Sequence, residues 1–252
     1  MEIGVQFYTL RDKAQNLNDF SESLARVADI GYKTVQISGV CEFEPEWLKS
    51  ELDKNGLKCV LTHWGYDEIK NEPLKAIEAH KIFGCNYIGL GSMPGGVKEE
   101  NLENFVNDYK NSANILKENG FKLFYHNHHW EFSRCKDGEL IFDKILKSFS
   151  PDELGITFDT YWAQYGGACP SLWLKKLRGR IECIHLKDME IVGDEQRMAP
   201  VGYGNINFEK VVSSAEYAGA KYLLVEQDNC YGKDPFECLK MSYEYLKSIG
   251  LK

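Results

Sequence analysis

Five of the six histidines in this 252-residue chain stand at or just beyond the end of a short apolar run, and only His80 does not. They are His63, His126, His128, His129 and His185. Two carboxylates share that placing. Asp159 follows Ile156-Thr157-Phe158, His185 follows Cys183-Ile184, and Glu226 follows Leu223-Leu224-Val225. Taken singly, each is what a hydrogen-bonded polar residue at a strand end looks like. Two carboxylates and an imidazole on three successive runs are a ligand set for a divalent cation, and its oxygen content favours Mn2+, Mg2+, Co2+ or Zn2+.

The run His126-Asn127-His128-His129-Trp130-Glu131 adds to this set. Alternation along a strand puts His126 and His128 on one face, so one can touch a metal while the other touches substrate or moves a proton. Glu131 lies just beyond. Its loop either folds the carboxylate back as a fourth ligand or leaves it solvated. Lys187 and Asp188 follow His185. Lys187 either steadies a developing oxyanion or joins Asp188 in a surface ion pair worth little. Trp64 after His63, Trp130, and Tyr161-Trp162 after Asp159 bring aromatic rings to the same region. Such rings suit the apolar faces of sugars, or else pack loops together.

The elements that must position these residues are legible from one recurring pattern. A helical stretch ends in glycine, then an apolar strand begins: Ile30-Gly31-Tyr32, Asn55-Gly56-Leu57, Phe83-Gly84-Cys85, Asn119-Gly120-Phe121 and Ala218-Gly219-Ala220. Glycine past a helix end accepts the left-handed backbone that closes the last turn. Eight strands are predicted, at 3–8, 33–38, 58–63, 86–91, 121–128, 155–159, 181–187 and 221–226. Amphipathic stretches lie between them, among them 18–30, 73–83, 101–119 and 208–218, and 235–249 follows the last. Eight strands alternating with helices predict a parallel sheet closed as a (β/α)8 TIM barrel over residues 1–252, a single domain. An open doubly wound sheet is less favoured, because the first strand runs into Tyr8-Thr9-Leu10-Arg11 without a glycine-rich phosphate turn. Barrel chemistry sits at the C-terminal strand ends, where the polar residues above fall, with Gln6, Tyr8 and Gln36 beside them. The stretch 189–207 reads as irregular and belongs to the same face.

Composition narrows the function further. With 30 basic and 38 acidic side chains the net charge is −8, which speaks against a phosphate-tracking nucleic-acid binder. No apolar run reaches the ~20 residues of a membrane span. The N-terminus enters a strand pattern at once, without a signal-peptide layout. The eight cysteines form no CxxC pair, so they read as reduced thiols in a cytoplasmic protein.

Several motifs together carry a resemblance. They are Gly4-Val5-Gln6-Phe7-Tyr8-Thr9-Leu10-Arg11, Tyr125-His126-Asn127-His128 with Glu131-Phe132, Phe158-Asp159-Thr160-Tyr161-Trp162, Arg180 with His185-Leu186-Lys187-Asp188, Gly202-Tyr203-Gly204, and Val225-Glu226-Gln227-Asp228. Through them the chain resembles the xylose-isomerase-like TIM-barrel superfamily, in its sugar phosphate isomerase/epimerase and inosose-dehydratase-like branch. The resemblance implies a divalent metal held by Glu, Asp, His and Glu from the last four strands. Asp159, His185 and Glu226 match the last three. At the first position the chain departs, with His126 where the family has glutamate. Either His126 binds the metal, or Glu131 reaches in and frees His126 for acid/base work; the family's ligand set favours Glu131. The implied activity is metal-dependent isomerisation or epimerisation of a keto-sugar, sugar phosphate or cyclitol by proton abstraction beside a carbonyl. His126, His128, Glu226 and Lys187 would be the catalytic groups, and Tyr8, His63, Trp64 and Trp162 the substrate contacts. A lyase acting on inososes or 3-keto-glycosides is the alternative. A metal-dependent endonuclease and a noncatalytic sugar-binding barrel are weaker readings. The superfamily also forms homo-oligomers. Gly202-Tyr203-Gly204 is the one weak candidate for a phosphate cradle.

Overall fold

A computed structural model describes residues 1–251. Its elements in order are β1 (Glu2–Gln6), α1 (Leu17–Ile30), β2 (Thr34–Ile37), α2 (Pro45–Asn55), β3 (Lys58–His63), α3 (Tyr66–Asn71), α4 (Pro73–Phe83), β4 (Tyr87–Leu90), α5 (Leu102–Glu118), β5 (Lys122–His126), α6 (Ile141–Ser148), β6 (Leu154–Asp159), α7 (Thr160–Tyr165), α8 (Pro170–Lys176), β7 (Cys183–Leu186), β8 (Asp188–Val192), β9 (Glu195–Ala199), α9 (Phe208–Ala218), β10 (Tyr222–Val225) and α10 (Pro235–Ser248). β1 to β7 pair in sequence order, and β10 sits between β7 and β1 to close an eight-stranded parallel barrel. The predicted (β/α)8 architecture is therefore the observed one. Glycine ends α4 as the pattern requires: Gly84 has φ +73°, and nothing lies within 4 Å of where a Cβ would stand, so backbone conformation alone selects it.

Pairing register sorts each strand into two faces. Phe124 pairs with Gly155, Thr157 with Cys183, Asp159 with His185, and Leu224 with His185. The inner face is filled low in the barrel by a small apolar plug of Leu61, Phe124, Cys183 and Leu224. Gly155 makes room for it, since a Cβ there would stand 2.5 Å from the Phe124 ring. One layer higher the same face turns polar, with buried Gln6, Gln36, His126, Asp159, His185 and Glu226. The outer face, with Leu123, Tyr125, Ile156, Phe158, Ile184, Leu223 and Val225, packs beneath the helices in the main core.

Two strand ends and one connecting stretch differ from expectation. β1 stops at Gln6 because its side-chain Oε1 accepts from Tyr8 N at 2.7 Å and turns the chain into a 3-10 segment, Phe7–Lys13. β5 stops at His126, ahead of the 3-10 turn Trp130–Phe132. The stretch 189–207 is not wholly irregular, since β8 and β9 form an antiparallel hairpin there. Asp188 anchors it. Its Oδ1 accepts from the amides of Met189 and Ile206 (2.7 and 3.1 Å), and its Oδ2 from those of Gly202 and Gly204 (both 2.9 Å). The amides that offered a phosphate cradle are thus already bound to a carboxylate.

Among the described residues no helix is long and apolar enough to cross a membrane. All eight cysteines are free thiols, and Cys59, Cys85, Cys135, Cys183 and Cys238 are buried.

His80, the histidine away from the strand ends, is a core residue. Its ring lies 4.6 Å from Trp64 and 4.8 Å from Phe83, with Nδ1 2.7 Å from Ala76 O and Nε2 2.8 Å from Thr62 Oγ1. Burial pulls the imidazole down from 6.5 to about 4. Between those values the unfolded chain holds a proton that the folded chain refuses, so stability is lost as pH falls through that window, by at most about 3 kcal/mol. Urea midpoints measured from pH 7 to 4 should fall less steeply in His80→Gln than in the parent chain. Equal slopes would remove His80 from the acid sensitivity.

Candidate active site

Four side chains from consecutive barrel strands converge above the apolar plug. His126 ends β5, Asp159 ends β6, His185 lies in β7 and Glu226 follows β10. Each offers one ligand atom, and all four atoms lie within 4.8 Å of one another. His126 Nε2 is 3.4 Å from Asp159 Oδ2, and His185 Nδ1 is 3.0 Å from Glu226 Oε2 and 3.8 Å from Asp159 Oδ2.

The outward nitrogens set the tautomers. His126 Nδ1 faces Gly91 O at 3.0 Å, and His185 Nε2 faces Gln36 Oε1 at 2.6 Å. Both acceptors require an N–H on that side, so the other nitrogen of each ring presents a lone pair to the carboxylates. His185 Nδ1 is buried without a hydrogen-bond partner. Lone pairs facing carboxylates at these distances repel unless a proton or a cation lies between them. Protonation is disfavoured: burial, with Lys187 and neighbouring histidines adding to it, pulls His126 down to about 3 and holds His185 well below its ordinary range. Two imidazole lone pairs and two carboxylates are a donor set that can hold a divalent cation.

Lys187 is buried beside this group. Its Nζ is 2.6 Å from Asp228 Oδ1, 3.4 Å from Glu226 Oε2 and 3.7 Å from Asp159 Oδ2. Burial opposes its charge, but Glu226, Asp159 and Asp228 outweigh it and hold the ammonium above its ordinary range. Burial pushes the Asp159 and Asp228 carboxyls up. With all three carboxyls ionised, they, one ammonium and two neutral imidazoles would carry a formal charge of −2, which a divalent cation would balance. The surface pair of Lys187 with Asp188 does not form. Adjacent residues face opposite sides, and Asp188 turns to the hairpin.

Glu131 does not join the four, and His126 stands among them instead. Glu131 is buried on the outer side of the barrel wall, where Oε1 accepts from Tyr125 Oη at 2.5 Å and Oε2 from His128 N at 2.9 Å. Burial pushes its carboxyl up to about 7, against those hydrogen bonds.

The remaining expected residues meet at one cavity of about 680 Å³, lined by Tyr8, His63, Trp64, His126, His128, Trp130, Trp162, Lys187 and Glu226, with Asp228 beside them. His63 Nε2, His128 Nδ1 and Trp162 Nε1 are buried there without partners in the protein. His128 is pulled down to about 2, chiefly by burial and further by the Lys187 ammonium, so it is neutral at physiological pH. Its ring and the Lys187 ammonium both lie beside the Trp162 indole, at 5.4 and 5.1 Å. His129 does not reach the cavity and packs on Trp130, Trp162 and Tyr165. The roles of Asp228 and Gln36 are not legible in the sequence motifs alone. Asp228 stands two residues beyond Glu226, so a strand-like alternation carried past β10 would have found it.

The family model for the xylose isomerase-like TIM barrel matches residues 24–248. The chain belongs to that family. Among curated relatives, the inosose dehydratase of Geobacillus kaustophilus is 25% identical over 269 residues, covering 90% of this chain and 86% of its own. That of Clostridium beijerinckii is 22% identical, covering 91% and 89%. Among solved structures, a sugar phosphate isomerase/epimerase from Parabacteroides distasonis superposes with a TM-score of 0.82 at 24% identity, over 98% of this chain and 93% of that one.

Proposed function

We propose that this protein is a divalent-metal-dependent carbohydrate enzyme that removes a proton from the carbon beside a carbonyl in a polyhydroxylated ketone, a keto-sugar or keto-cyclitol, and carries it on to loss of water. The observation that carries the reading is the convergence of His126, Asp159, His185 and Glu226 at the floor of an aromatic-walled cavity. Bound by those four, a Mn2+, Mg2+, Co2+ or Zn2+ ion would supply Lewis-acid polarisation of the substrate carbonyl and an adjacent hydroxyl. Partnerless His63 Nε2 and Trp162 Nε1 suit substrate hydroxyls, and the Trp64 and Trp162 rings suit the apolar ring face. His128 is the neutral imidazole free to take the carbon-bound proton at Nδ1. Lys187 Nζ holds a proton for the leaving hydroxyl or a developing oxyanion.

Base and acid stand along one wall, both beside Trp162. That suits loss of water from one face of a ring, or a proton moved between neighbouring carbons. Inversion at one carbon needs delivery from the opposite face, so epimerisation is the least supported outcome and isomerisation the second reading. The whole-length likeness to inosose dehydratases supports the order. The acidic net charge speaks for a small-molecule substrate rather than nucleic acid, and cytoplasmic localisation is part of the same proposal.

The test is incubation with inososes and keto-sugars in deuterated water with Mn2+. Label entering the carbon beside the carbonyl, together with an unsaturated or dicarbonyl product, is the expected result. Label with an aldose or ketose product would move the assignment to isomerase. Turnover that survives complete metal removal would overturn it.

Gln36 gives a separate prediction. Its Oε1 holds the His185 tautomer, so Gln36→Leu should weaken metal binding by about 10–100-fold, read by competition with a chromophoric chelator. Gln36→Glu, which keeps the acceptor, should recover most of the loss. Equal affinity in Gln36→Leu would show that the tautomer is set elsewhere.

A further inference from the structure

The cavity does not end at the proposed site. A second cavity of about 660 Å³ opens beside it over β2 and the start of α2, and the two share Ser38, Gly39, His63, Trp64 and Gly65 in their walls. A single six-carbon ring does not need both, because either alone lies within the ~300–1,000 Å³ of ordinary ligand pockets. The shared wall is also fixed in place. Trp64 Nε1 donates to Glu68 Oε1 at 2.8 Å, and its ring packs edge-on against Phe43 with centroids 6.2 Å apart.

Charge is the second observation. Glu42, Glu44 and Glu68 line the second cavity, and among the described residues no lysine or arginine does. Lys75 reaches one of the three, Glu68, at 3.5 Å. In the first cavity the one lining ammonium among the described residues, Lys187, is already matched by carboxylates. A phosphate or carboxylate on a unit seated in the second cavity would therefore meet repulsion. Planar rings beside carboxylate acceptors are the chemistry that binds a neutral polyol: the rings meet its C–H faces and the carboxylates accept from its hydroxyls.

We infer that the second cavity is a subsite for a second, uncharged saccharide unit, so that the natural substrate is a neutral two-unit carbohydrate with its keto-ring at the metal-ligand group. This rests on the proposed function for the keto-ring, but not for the binding of the second unit, which involves no chemistry. Phe43 stands in the second cavity only, and Glu42 is an exposed member of its wall.

The test is calorimetric titration of the whole protein with cellobiose, cellobionate and methyl glucoside. Cellobiose should bind about 10-fold more tightly than methyl glucoside, and cellobionate more weakly than cellobiose. Phe43→Ala should remove the advantage of cellobiose and leave methyl glucoside unchanged. Because Phe43 also packs on Phe20, Glu42→Lys serves as a second variant, expected to narrow the gap between cellobionate and cellobiose. Cellobiose binding no tighter than methyl glucoside, or not binding at all, overturns the subsite whatever the deuterium experiment gives. Cellobionate binding as well as cellobiose overturns its neutrality. If deuterium exchange fails while the cellobiose preference holds, the proposed reaction falls and the subsite stands.

Discussion

Glu226→Ala is expected to slow solvent-deuterium exchange into the keto substrate by about 10³-fold or more, with the protein still folded. The carboxylate does three things at once. Oε1 accepts from Gln6 Nε2 at 3.1 Å, and Oε2 lies 3.0 Å from His185 Nδ1 and 3.4 Å from Lys187 Nζ. Its removal takes away one of four ligand atoms and one of two carboxylates in the group. It also relieves the crowding of lone pairs against His185, while Lys187 keeps Asp228 at 2.6 Å. The cost to the metal-free fold should therefore be small. The stabilisation that Mn2+ adds, which grows with the ratio of free ion to its dissociation constant, should largely vanish. Thermal melts with and without Mn2+ measure it. Glu226→Gln should behave alike, because charge and not shape is what is lost. Exchange within a few-fold of the parent chain, with the Mn2+ shift intact, would sink the assignment of Glu226.

Lys187→Met should have the opposite signature, a large loss of stability in the metal-free protein. Asp159 is buried and Asp228 partly so, burial already pushes both carboxyls up, and the Lys187 ammonium opposes that rise in each. Removing one partner of a buried ionic group typically costs about 3–5 kcal/mol. The pH dependence follows. Without the ammonium the carboxyls rise further above their unfolded values, so the folded state binds protons that the unfolded state releases. That stability is complete below the unfolded values and is lost as pH rises through the folded ones. Lys187→Met should accordingly gain stability as pH falls from 7 towards 5. Mn2+ should recover more stability in the variant than in the parent, because it supplies the missing positive charge. Turnover should fall by about 10²–10⁴-fold for loss of the proton donor. Denaturant midpoints at several pH values test this, and a variant as stable as the parent with an unaltered pH trend would show that the carboxylates do not depend on Lys187.

Much of this architecture is determined by local sequence. Glycine at helix ends followed by apolar runs specifies a repeated αβ junction, and eight such runs specify a closed barrel, because each strand must bury one face inward and the other under a helix. Polar residues at the ends of those runs then have one place to go, the C-terminal mouth. Asp159, His185 and Glu226 can be named together for that reason, and parity along β5 by itself puts His126 and His128 on one side. Tertiary structure decided what lies beyond the periodic segments. Glu131 and His126 are five residues apart and compete on paper for the same position. The strand ends at His126, so alternation no longer constrains Glu131. Its carboxylate goes where donors exist in space, at Tyr125 Oη and the His128 amide on the outer wall. Lys187 and Asp188 look like a local ion pair, yet pleating sends one to the carboxylates inside the barrel and the other to four amides of the hairpin loop. A chain's periodicity determines which face a residue occupies. Which charge or hydrogen-bond donor waits there depends on strands and loops far away in sequence, and only the closed barrel brings them together.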